Sequence, residues 1–74
     1  MLPPDDLNLL TQAHQRAQTL LNDLLHHQAE LDACPPTLPP AQLEAGRQAL
    51  RNAVDSARRM VHSIEQALVA AQHV

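Results

Sequence analysis

The stretch Cys34-Pro35-Pro36-Thr37-Leu38-Pro39-Pro40 decides the fold. Each proline lacks a backbone N–H and its ring clashes with the preceding helical turn, so four of them in this run cannot sit inside a helix. On both sides the chain is long and rich in Leu and Ala, strong helix formers. The sequence therefore predicts an all-α fold over residues 1–74, a single antiparallel two-helix hairpin of coiled-coil type with a proline-rich corner. The first helix is expected over about residues 6–33, the corner over 34–39 and the second helix over about 40–72.

Working back from the corner, Leu7, Leu10, His14, Ala17, Leu21, Leu24, Gln28 and Leu31 recur at alternating steps of three and four and form one seam. Ala13, Leu20 and Leu25 lie on its flanks, and Leu9 points further round. Pro3-Pro4-Asp5-Asp6 is a helix-start signal, with aspartates suited to capping free N–H groups and to the positive end of the helix dipole. Forward of the corner, Pro39 or Pro40 suits the first position of the second helix, where a missing N–H costs nothing. Thr37 or Leu38 then falls at the cap. The second seam reads Leu43, Leu50, Ala53, Val54, Ala57, Met60, Val61, Ile64, Ala67, Leu68 and Ala71. Gly46, Ala49, Ala53 and Ala57 are small, which predicts close approach of the helices near the corner, the natural compensation for a helical glycine. Arg51, Asp55 and Arg59 are spaced as a solvated ion-pair ladder.

Composition restricts the function classes. The chain has 74 residues, one cysteine and no Phe, Tyr or Trp. An internal disulfide is impossible, and chains below roughly 70–80 residues rarely draw more than about 3–5 kcal/mol from their own core. The missing stability points to oligomerisation or a partner. The formal net charge is −3, and the basic residues are five arginines interrupted by acids, which is not a phosphate-binding footprint. No nucleic acid is expected. The N-terminus has no basic region followed by an apolar run, no stretch is long enough to enter and cross a bilayer, and a lone thiol fits a reducing compartment. A cytoplasmic location is the expectation.

Chemistry-bearing residues offer no constellation. His26 and His27 are adjacent and point about 100° apart on a helix, so they do not form the paired ligands of an i, i+4 motif. His62 lies opposite the seam, His73 is near the C-terminus, and His14 alone belongs to the seam. Zinc-ligand spacing is absent, Cys34 has no base in its local sequence, and Gly46 is the sole glycine, so no phosphate loop exists. The reading is a non-enzyme without metal or cofactor. A hairpin shields one side of each helix, so surplus apolar residues remain as a patch: Leu9, Leu20, Leu25, Met60 and Ala67 are the expected partner-binding residues.

Asn8-Leu9-Leu10, the stretch from Ala17 to Leu25, the corner at Pro39-Pro40 and the run from Leu50 to Leu68 carry a resemblance over most of the chain. In length, hairpin position and leucine spacing the sequence resembles the small helical-hairpin co-chaperones of type III secretion needle subunits, the YscE/SsaE type. That resemblance implies a cytoplasmic, non-enzymatic protein. It implies pairing with a helical, TPR-like chaperone, the two together keeping the needle subunit soluble before export. Two alternatives share the pattern: a self-assembling, needle-like hairpin, and a homodimer that closes as an antiparallel four-helix bundle.

Overall fold

A computed structural model describes residues 4–72. It contains two helices, α1 from Pro4 to Ala33 and α2 from Pro40 to Gln72. They pack side by side as an antiparallel hairpin, the all-α architecture that the proline corner dictates. The molecule is a rod of 54 × 14 × 14 Å.

The corner turns without glycine, and no described residue has a positive φ. The Cys34 N–H donates to the Glu30 carbonyl at 2.8 Å, closing α1, and Pro35 prevents a further turn. The Leu38 N–H donates to the Pro36 carbonyl at 2.8 Å, a three-residue turn that reverses the chain. The Leu43 N–H then donates to the Pro39 carbonyl at 3.0 Å. Pro40 is thus the first helical residue and Pro39 occupies the cap position, so neither Thr37 nor Leu38 caps α2. At the other end α1 already includes Pro4, ahead of the start expected at about residue 6, and Asp5 and Asp6 lie inside its first described turn. There they complement the helix dipole.

The His14–Glu65 contact and the Asp32–Arg47 ion pair, at 3.6 and 3.7 Å, mark the register. Stepping inward from them places Ala17 level with Val61, Leu21 level with Ala57, and Leu24 level with Val54. These residues make the core: Ala17, Leu21, Val54, Ala57 and Val61 are buried, with Leu24, Leu25 and Ile64 packed against them. All eight expected seam residues of α1 are at least half-buried.

The seam of α2 needs correction. It runs Leu43, Arg47, Leu50, Val54, Ala57, Val61, Ile64, Leu68 and Ala71 in unbroken steps of four and three. Arg47 fills the gap that apolar residues alone leave between Leu43 and Leu50. Met60 and Ala67 stand outside the seam, exposed, because each lies one position before a seam residue and is carried about 100° round the helix. The expected close approach near the corner is also absent. A side chain at Gly46 would meet nothing within 4 Å, and Ala49 is exposed. The small residue at the point of contact is Ala57, which is 2% exposed against Leu21.

Candidate docking surface

The register divides the rod into two chemically different flanks. Leu20 precedes Leu21 and is turned about 100° to one side of the seam, whereas Leu25, four residues after Leu21, is turned about 40° to the other. On α2 the same rule puts Met60 and Ala67 on the Leu20 side. Ala13 joins them, Ala53 lies half-buried at the same edge, and Leu9 stands one turn before Ala13. Leu9 is 61% exposed, Leu20 45% and Met60 47%. Leu20 and Met60 lie near the midpoint of the rod. Four of the five expected docking residues therefore belong to one flank. Leu25 does not: it lies on the opposite side, half-buried against the core.

That opposite flank is charged. His14 and Glu65 pair at one end and Asp32 and Arg47 at the other. Arg51 Nη2 donates to Glu44 Oε1 at 3.0 Å. This pairing replaces the expected ladder through Asp55 and Arg59, because Glu44 lies two turns back on the same helix face as Arg51. An open groove near the corner is lined by Gln28, Asp32, Glu44, Arg47 and Arg51 above Leu31 and Leu50. His14 Nε2 and Arg47 Nε are out of solvent without a hydrogen bond, so the two cross-helix contacts hold half-covered groups of the seam. Such pairs are worth tenths of a kcal/mol, and their main effect is to penalise a shifted register.

The other titratable side chains act locally. His26 Nε2 lies 2.9 Å from Glu30 Oε1 and His27 Nδ1 lies 3.7 Å from Glu30 Oε2, one carboxylate serving two adjacent rings. The ring Nε2 of His62 meets Gln66 Nε2 at 3.1 Å on the outer face of α2. His14 is the one described histidine that is half-buried. His73 lies outside the described residues. Among the described residues no three His, Cys, Asp or Glu side chains are grouped to hold a metal ion, and no helix is long and apolar enough to cross a membrane. Cys34 is an exposed thiol at the corner.

Two exposed apolar residues escape the seam-and-flank reading of the sequence. Leu38, 47% exposed, belongs to the corner, where helical periodicity says nothing. Val69, 52% exposed, lies on the outer face of α2 beside His62, Gln66 and Ala70. The step of four from Glu65, which is itself beside the seam, is the signal that places it outside.

No protein-family model, curated protein or solved structure matches the chain.

Proposed function

We propose that the protein is a non-catalytic binding adaptor that docks its Leu20/Met60 flank onto another helical protein. The observation that carries the reading is the asymmetry of the rod: exposed Leu20 and Met60 at mid-length on one flank, bordered on α1 by Arg16 and Asp23, and the cross-helix contacts His14–Glu65 and Asp32–Arg47 on the other. A helix pair offering an apolar edge of this kind fits the edge of a helical-repeat partner, which gains a capping layer while the hairpin gains the core it lacks. The resemblance to type III secretion co-chaperones names a specific case. In it the partner is a cytoplasmic TPR-like chaperone, and the pair holds a needle subunit soluble before export.

The test is co-purification on a tagged chain under reducing conditions, comparing the wild type with Leu20→Glu and Leu25→Glu. The expected result is a stoichiometric helical-repeat protein, with or without a small needle-type subunit, retained by the wild type and lost with Leu20→Glu. Identical co-purification by the wild type and Leu20→Glu contradicts the assignment of the flank.

A further inference from the structure

The chain exposes 5495 Å², against roughly 4,500 Å² for a compact monomer of 8.1 kDa. The surplus of roughly 1,000 Å² compares with the roughly 800 Å² that each partner covers in a stable protein interface. The apolar flank also complements itself. Leu20 lies level with the midpoint between Ser56 and Met60 in the register marked by the two cross-helix contacts. Resting on the reading of this flank as a docking surface, we propose that in the isolated protein, with no helical-repeat partner bound, a second copy of the chain occupies it. The copy is related by a two-fold axis crossing the rod at the level of Leu20, and the product is an antiparallel four-helix bundle.

One axis satisfies the middle of both helices; toward the ends of α1 the same register sets Leu9 beside Glu30 and Ala13 beside His27 of the second copy, so the apolar contact is confined to mid-length. On α1 the axis packs Leu20 against Leu20 of the second copy and sets Arg16 beside Asp23 of the second copy, a contact that symmetry makes twice. All three side chains are exposed in the single chain. On α2 it sets Met60 beside Ser56 of the second copy and Ala53 beside Ser63. Between Ala49 and Ala67 the facing positions of α2 are Ala or Ser apart from Met60, and none is charged. Two α2 helices can therefore approach closely, with the Met60 side chains filling the space on either side of the axis. The charged flank offers no equivalent surface, because a copy placed there would cover Asp32, Arg47, Glu44 and Arg51.

The experiment uses the full chain with Cys34→Ser, carrying either Ala53→Cys or Ser63→Cys. Each cysteine meets its own symmetry mate about 15 Å away along the axis, beyond the roughly 7 Å that a disulfide spans, whereas one variant meets the other directly. Oxidation of the mixture is expected to give a covalent dimer, and oxidation of either chain alone is expected to give little. In sedimentation with interference optics the reduced protein is expected at twice the 8.1 kDa chain mass. Asp23→Arg should weaken the dimer about tenfold, and Arg16→Asp in the same chain should restore it. Disulfides that form equally from the separate chains overturn the proposal, as does a monomer at every concentration. A monomer whose co-purification with a helical partner still depends on Leu20 removes the second copy and leaves the docking flank. A monomer indifferent to Leu20→Glu removes both.

Discussion

Leu21→Ala and Leu9→Ala delete the same three carbon atoms from the same helix, and the structure predicts different costs. Leu21 is 9% exposed and packs into the layer with Ala57, while Leu9 is 61% exposed. At about 0.8 kcal/mol per buried carbon, the deletion costs about 2 kcal/mol at Leu21 and under about 1 kcal/mol at Leu9. A residual cavity adds to the first figure, although two helices can close in on a void more readily than a larger core. Against a total of about 3–5 kcal/mol, the Leu21 loss removes about half of the stability of the fold. For a domain of this size about 1 kcal/mol moves the melting temperature by about 4–8 °C, so Leu21→Ala should melt roughly 10–15 °C below the wild type. Leu9→Ala should stay within about 5 °C. Circular dichroism at 222 nm on heating reads both, and it suits a chain without Tyr or Trp. Equal shifts for the two variants, or a larger one at Leu9, would refute the register from which the core was derived.

Gly46→Ala is expected to raise stability by about 0.5–1 kcal/mol, since the added methyl meets no atom and the helix loses a flexible position; a melting temperature that falls would contradict this. Arg47→Leu replaces a half-covered guanidinium, held by a 3.7 Å ion pair, with a side chain suited to the seam. It should stabilise the hairpin by about 1 kcal/mol in denaturant titration, and a comparable loss would show that the Asp32–Arg47 pair contributes more than its geometry indicates. Leu25→Glu should lower the melting temperature, because Leu25 packs against the core, whereas Leu20→Glu should leave helicity intact and change association only. Matching behaviour of these two variants in circular dichroism and sedimentation would show that the flanks are not distinct.

How much of this was legible beforehand differs between the two helices. In α1 the three-and-four spacing runs without a break, leucine at five of its eight positions, and the eight predicted seam residues are those that α2 covers. In α2 the alanines blur the pattern. Alanine is apolar enough to join any stripe, so Ala53, Ala67 and Met60 compete with the true seam, and a charged residue, Arg47, holds the place that a search for apolar residues passes over. The long aliphatic stem of arginine is what allows that substitution. Once Arg47 is admitted, strict spacing moves Met60 and Ala67 outward by itself. The corner was legible because proline chemistry is local. Its cap was not, since choosing between Thr37, Leu38 and Pro39 depends on the path of the reversed chain. The docking flank was legible as a surplus of apolar residues. Its division from Leu25 was not, because which side of α1 faces which side of α2 is settled by the pairing of the two helices.

The proposed docking flank is centred on Leu20 and Met60. Methyl NMR with a soluble paramagnetic probe tests it directly on chains labelled at Leu and Met. In dilute solution the Leu20 and Met60 methyls should broaden strongly while Leu21 stays sharp. On concentrating the protein, or on adding a partner that co-purifies with it, Leu20 and Met60 should become protected and Leu25 should not change. Leu20 and Met60 methyls that remain accessible under both conditions, or a Leu25 methyl that gains as much protection as they do, would show that this flank is not the covered surface.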